Sequence, residues 1–150
     1  MTPLAGLLLV DKPKGPTSHD IVEAVRRGAG GIRVGHTGTL DPLATGLLGL
    51  CLGRATRLSR FLTNQRKVYS GVLRLGITTD TYDSDGVVIR QADASGVTEQ
   101  AIREAAARLV GPLMQAPPAY SARKVNGRPL HRLARAGKTV VLTPTPVTVH

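Results

Sequence analysis

The sequence predicts an α+β fold, a mixed α/β arrangement in which a largely antiparallel sheet is flanked by helices. Three observations carry that expectation. Apolar runs of strand length stand at 7–10 and 47–52, too short for independent helices. Two other segments repeat their apolar residues with helical period behind capping residues. Strands and helices follow one another without the strict alternation of βαβ units, which argues against a doubly wound parallel sheet.

The elements follow in order. Leu7 to Val10 reads as a buried strand, ended by Lys12-Pro13-Lys14-Gly15-Pro16. Thr17 and Asp20 have capping-box spacing, and Ile21, Val22 and Val25 give the next helix an apolar face that runs to Gly28. A loop rich in Gly and Thr spans Gly35 to Gly46, and Leu47 to Leu52 forms a second apolar run. Thr56 starts a helix with Leu58, Phe61 and Leu62 facing inward. Val68 to Leu75 alternates as a strand, with Tyr69, Leu73 and Leu75 on one face. Asp85-Gly86 signals a hairpin turn before Val87, Val88 and Ile89. Thr98 caps a helix whose Ile102, Ala105, Ala106 and Leu109 share a face, and Gly111-Pro112 stops it. Beyond Ala116 the chain turns Pro-rich and then basic, and Val147 to His150 looks like the opening of a strand. A domain seldom ends where a strand begins, so the expectation is one domain cut short at its C-terminus.

Composition bounds the function. A chain of 150 residues, 41% of them hydrophobic, can bury a core, but only 3% are aromatic, so Leu, Val, Ile and Ala must build it. Twenty Lys and Arg face ten Asp and Glu, a formal charge of +10 and a pI near 10.9. That excess points to a polyanionic partner, because cations placed on phosphates release condensed counterions. Cys51 is the only cysteine, which excludes a disulfide framework and a thiolate zinc site, and its apolar run marks it as a buried, inert thiol. No stretch approaches the ~20 apolar residues of a membrane span. The apolar N-terminus lacks a basic leader, so a reducing cytoplasm is the expected home, and without a dimer seam the expected state is a monomer.

The most unusual segment is Arg33-Val34-Gly35-His36-Thr37-Gly38-Thr39-Leu40-Asp41-Pro42-Leu43-Ala44-Thr45-Gly46. Pro42 biases Asp41 to extended backbone, and the glycines permit close approach of a ligand. A carboxylate on so constrained a loop suits a nucleophile or a general base. It suits also an Asx-turn acid that bonds its own backbone, and the residues alone lean toward that plainer role. His36, five residues earlier, reads most simply as a local hydrogen-bonding partner. Two other motifs fail. Asp83-Ser84-Asp85-Gly86 is in the register of a calcium loop, but Thr81 and Ala92 then occupy the first and twelfth ligand positions. Lys12 to Ser18 lacks the glycine spacing of a phosphate loop.

Gly-His-Thr-Gly-Thr-Leu-Asp-Pro-Leu-Ala-Thr-Gly-Leu-Leu, from Gly35 to Leu48, resembles the central signature of the TruB family of tRNA pseudouridine synthases. The likeness extends over Leu7 to Pro13, Lys67-Val68-Tyr69, Leu75-Gly76 to Asp80-Thr81, and Pro117 to Ala122, in order along most of the chain. Thr37 and Ala44 favour the bacterial stand-alone branch.

The resemblance implies a pseudouridine-synthase-like fold and an isomerase that converts a uridine in the T loop of tRNA (position 55) to pseudouridine. It implies no metal and no other cofactor. Asp41 then becomes the catalytic residue, which attacks covalently or removes a sugar proton. Tyr69 matches the tyrosine that stacks on the target base, and His36 the histidine that fills the space a flipped nucleotide vacates. Lys12-Pro13 matches a motif that packs near the active-site loop. The tRNA, through its T arm, is the implied partner. Arg123, Lys124, Arg128, Arg132 and Arg135, with His131 and Lys138, form the basic tract expected to face its phosphates, several of them collected by a helix around Leu130 to Ala136. Arg26, Arg27, Arg54, Arg57 and Arg60 are weaker candidates.

Family members normally continue with a segment whose arginine pairs with the catalytic aspartate, and often with a PUA-type RNA-binding domain. The 150 residues are therefore expected to be the N-terminal part of one catalytic domain, without that arginine and that second domain. As a complete chain they would be nearly inactive and marginally folded. A catalytically inactive RNA-binding module is the alternative.

Overall fold

The computed structural model describes residues 4–116, 124–125, 128–129 and 143–150. The chain forms two compact units, Met1–Gly71 and Val72–His150. Helices and strands mix, and every described strand pairing is antiparallel, as the α+β expectation requires.

The first unit is a three-stranded sheet covered on one face by a helix. Strand β1 spans Gly6–Lys12, helix α1 Ser18–Gly28, β2 Val34–His36 and β3 Gly46–Leu52. The spatial order is β1-β3-β2, so the most apolar strand lies in the middle, where both of its edges are paired. Directly opposed residues of antiparallel strands share a face. The register Val10↔Leu48, Leu8↔Leu50, Val34↔Leu52 and His36↔Leu50 therefore places Leu8, Val10, Lys12, Val34, His36, Leu48, Leu50 and Leu52 on one side. Leu48, Leu50, Leu52, Val34 and Val22 of α1 form the buried cluster on that side, with Val10, Ile21, Val25, Ile32 and Leu40 packed around it.

The capping box forms as the spacing predicts. Thr17 Oγ1 accepts the Asp20 N–H at 3.1 Å, and the Asp20 carboxylate accepts the Thr17 N–H at 2.8 Å. The thiol of Cys51 is buried, and burial pushes it up from its ordinary pKa.

Several expectations need correction. β1 is a strand, but an edge strand with Leu7 and Leu9 on its open face, more than half exposed instead of buried. The helix expected from Thr56 starts earlier, as a 3-10 turn over Gly53–Leu58 that passes into a short helix α2, Ser59–Thr63, and Leu58 and Phe61 are exposed. Gly53 bends the chain straight out of β3 with φ +54, so the turn follows the strand without a spacer. Val68 to Leu75 is not a strand: the chain is irregular over 66–74, and Val68, Tyr69, Val72 and Leu73 are exposed. Alternation marks a residue set that suits a sheet face, but no described strand offers this segment a ladder.

In the second unit β4, Ile77–Thr79, pairs with β5, Val88–Gln91. Asp85-Gly86 lies inside a loop over 80–87 instead of forming a two-residue turn, and the Asp80 carboxylate closes it by accepting the Val87 N–H at 2.8 Å. Helix α3, Glu99–Ala107, is capped by Thr98 as expected, but none of its residues is buried, so the predicted inward face is left largely open. β6, Gly111–Gln115, pairs with β9, Thr145–Val149, which realises the expected final strand. Two short strands, β7 (Lys124–Val125) and β8 (Arg128–Pro129), pair with each other.

Candidate active site

The loop between β2 and β3 is anchored at three points. At its start, Thr37 gives both its N–H (2.9 Å) and its hydroxyl (3.3 Å) to the Gly49 carbonyl. A Cβ on Gly49 would lie 2.6 Å from Thr37 Oγ1, so any larger residue there must displace the Thr37 hydroxyl. In its middle, the Ser18 hydroxyl accepts the Leu40 N–H at 2.9 Å and donates to the Leu40 carbonyl at 3.0 Å. One residue past Asp41, the Pro42 carbonyl accepts the Gly15 N–H at 2.8 Å and, more weakly at 3.4 Å, the Lys12 ammonium.

Lys12 is fully buried, and its Nζ also donates to the carbonyls of Pro13 and Pro16, each at 2.9 Å. Its three N–H donors thus meet three acceptors, which is what allows an ammonium to lie there without a carboxylate. Of the Lys12-Pro13 pair, Lys12 packs under the loop at Pro42, whereas Pro13 is exposed.

Asp41 opens a β-turn in which the Ala44 N–H donates to its carbonyl at 3.0 Å, and the fixed φ of Pro42 suits the second position. The backbone closes this turn. The Asp41 carboxylate makes no hydrogen bond and no ion pair among the described residues, so the Asx-turn alternative is not what forms. The side chain is exposed on a peptide held from both sides.

His36 ends β2 on the helix-covered face, and no ion pair joins it to Asp41. Its Nδ1 is buried without a hydrogen-bond partner. A buried polar atom left unpaired is uncommon and marks a position where an incoming donor or acceptor would be welcome. Tyr69 stands in the irregular segment after α2, 67% exposed. That segment approaches the loop through Lys67, whose Cε would lie 3.3 Å from a Cβ on Gly38, while its Nζ donates to Thr63 and Gln65 carbonyls.

Of the basic tract, Arg123, His131, Arg132, Arg135 and Lys138 lie outside the described residues, as does the helix expected over 130–136. Lys124 and Arg128 belong to β7 and β8. Among the described residues no three His, Cys, Asp or Glu side chains gather as a metal site, and no helix is long and apolar enough to cross a membrane.

Residues 26–150 match the family model described as TruB family pseudouridylate synthase (N terminal domain). The chain belongs to the TruB family. Its TruB relatives include a protein named tRNA pseudouridine synthase B from Arthrobacter sp. (strain FB24), 48% identical over 147 residues, which are 98% of this chain and 48% of the relative. The protein of the same name from Geotalea uraniireducens (strain Rf4) is 49% identical over 145 residues, 97% of this chain and 47% of that one. The TruB chain thus spans about half the length of these curated relatives. In a crystal structure of a Cbf5-Nop10-Gar1 complex, one chain superimposes with a TM-score of 0.52 at 28% identity, covering 79% of the TruB chain and 31% of the other. The Arthrobacter match takes in the Lys12 to Ser18 segment that grips the loop, which lies ahead of the family model's span.

Ser18 and Gly49 escaped the sequence reading. Thr17 and Asp20 accounted for the helix start, and nothing local distinguishes Ser18, whose partner lies 22 residues away.

Proposed function

We propose that the protein is a tRNA pseudouridine synthase that isomerises the T-loop uridine at position 55, with Asp41 as its catalytic residue. The observation that carries this reading is an exposed, unpaired carboxylate on a peptide gripped at Leu40 and at Pro42. Membership of the TruB family supports the reaction class, and the names of the relatives support tRNA as substrate.

In the proposed reaction the bond from uracil N1 to ribose C1′ breaks and a bond from C5 to C1′ forms. C5 gives up its hydrogen as a proton, and N1 gains one, so the product is an isomer. A uridine stacked in the T loop must first leave the stack. Tyr69, whose ring is exposed, stacks on the extruded base, and His36, whose Nδ1 has no partner, fills the space the flipped nucleotide vacates. The basic tract from Arg123 to Lys138 carries the phosphates of the T arm. The chain is the N-terminal part of the catalytic domain, works without cofactor, and acts in the cytoplasm as a monomer.

A second reading is favoured by one observation. Asp41 has no cationic partner among the described residues, and a catalytic carboxylate is ordinarily oriented by one. On that reading the 150 residues alone bind tRNA without turning it over. The test is unmodified tRNA carrying tritium at uracil C5. Release of tritium supports the isomerase. Binding of tRNA with no release supports the binding module, and neither binding nor release contradicts both.

A further inference from the structure

We propose that Ser18 is a positioning residue for Asp41, a role that rests on the reading of Asp41 as the acting carboxylate. Ser18 is the first residue of α1, yet its hydroxyl does not cap the helix, because Thr17 already does. Only 3% exposed, it directs both its hydrogen-bonding capacities at one distant residue. It accepts from Leu40 N at 2.9 Å and donates to Leu40 O at 3.0 Å.

Leu40 is the residue joined to Asp41, and the Leu40 carbonyl belongs to the peptide plane that carries the Asp41 N–H. The Leu40 side chain also packs on the buried cluster, so its backbone and its side chain are both fixed. The rotation left at the Asp41 Cα is then limited by Pro42, which biases Asp41 to extended backbone, and by the Pro42 carbonyl held by Gly15 and Lys12. Among the described residues, Ser18 is the side chain that hydrogen-bonds the backbone on the N-terminal side of Asp41. α1 begins at this residue, so the helix acts as the rigid mount for the loop.

The experiment uses the protein as its gene encodes it, with C5-tritiated tRNA as probe. Ser18→Ala removes both bonds while leaving Asp41 untouched. Tritium-release kcat is expected to fall roughly ten- to hundredfold, the scale of an ångström-sized misplacement. KM for tRNA is expected to stay within about twofold, because the groups that bind RNA are unchanged. The Leu40 amide, protected in the parent, is expected to exchange with deuterium at least about tenfold faster. Ser18→Thr restores a hydroxyl and is expected to recover most of the lost kcat. Should Ser18→Ala fail to fold, Ser18→Cys, of similar volume with only a weak S–H donor, is expected to show the same fall in kcat. Equal kcat in the parent and the folded variant overturns the role of Ser18 alone. So does a loss that Ser18→Thr does not recover, or one that resides in KM. No release by the parent overturns the reading of function on which the role rests.

Discussion

Replacing Lys12 with Met tests how the loop that carries Asp41 is held. The substitution keeps the unbranched stem and deletes the ammonium, so packing changes little while three hydrogen bonds vanish. The Pro42 carbonyl keeps the Gly15 N–H at 2.8 Å and loses only its weaker 3.4 Å partner. The Pro13 and Pro16 carbonyls each lose a donor at 2.9 Å. Pro13 is exposed and recovers water, whereas Pro16 is half-buried and recovers less. A hydrogen bond to a charged group contributes about 1.5–3 kcal/mol, and relief of the buried charge offsets part of the loss. The expected net destabilisation is about 1–3 kcal/mol, or roughly a 5- to 150-fold rise in the exchange rate of protected amides. Deuterium exchange at the Leu48 and Leu50 amides reads this in the first unit alone, which matters because two compact units need not unfold together. Equal or slower exchange in Lys12→Met would refute the account, since the ammonium would then lie buried at a net cost.

Three further outcomes follow from the same contacts. Gly49→Ala drives a methyl against the Thr37 hydroxyl and is expected to destabilise by about 1–3 kcal/mol, a loss that Thr37→Ala in the same chain relieves in part; thermal unfolding of the two single variants and the double variant checks it, and additive losses would contradict the clash. The hydroxyl and backbone N–H of Thr17 hold the Asp20 carboxyl below its ordinary 3.8, so its share of helix stability is present above that value and drains away as pH falls through the lowered one. Asp20→Asn is expected to fray α1 at neutral pH and to differ little from the parent in strong acid, as amide exchange in the first helical turn against pH would show. Cys51 is expected to resist a thiol reagent at pH 8 in the folded chain and to react once urea is added, because burial both covers the sulfur and disfavours its thiolate; rapid labelling without denaturant would place it at the surface.

What was legible in the sequence was local or literal. The capping box at Thr17 and Asp20 operates within one turn, so spacing alone reveals it. The middle strand could be read because β3 is apolar along nearly its whole length, as a strand paired on both edges must be. Val68 to Leu75 misled because alternation describes a chain's suitability for a sheet, whereas a strand also needs a neighbour. The true hairpin strand, Ile77–Thr79, is short and two-thirds threonine, too brief to show a period. Helical spacing turns Phe61 inward, but the helix is five residues long and the Phe61 ring instead lies 4.6 Å from the guanidinium of Arg60.

The site divides the same way. Asp41 could be picked out because its loop has an unusual composition and a family likeness, and the backbone turn then freed its carboxylate from the local role that composition favoured. The grip on that loop could not be read. Ser18 meets Leu40 across 22 residues, and Lys12 meets Pro42 across 30, distances over which no pattern in one sequence speaks.

The most direct test of the central claim is the Asp41→Asn variant, which changes one oxygen to an amide nitrogen on an exposed side chain and leaves the three anchors intact. Protein as its gene encodes it, parent and variant, is incubated with unmodified tRNA, the tRNA is digested, and pseudouridine is quantified by nucleoside chromatography alongside tRNA affinity. The parent is expected to form pseudouridine in the T arm, and the variant to bind tRNA equally well and form none. Pseudouridine formed at the parental rate by Asp41→Asn would contradict the claim that this carboxylate does the chemistry.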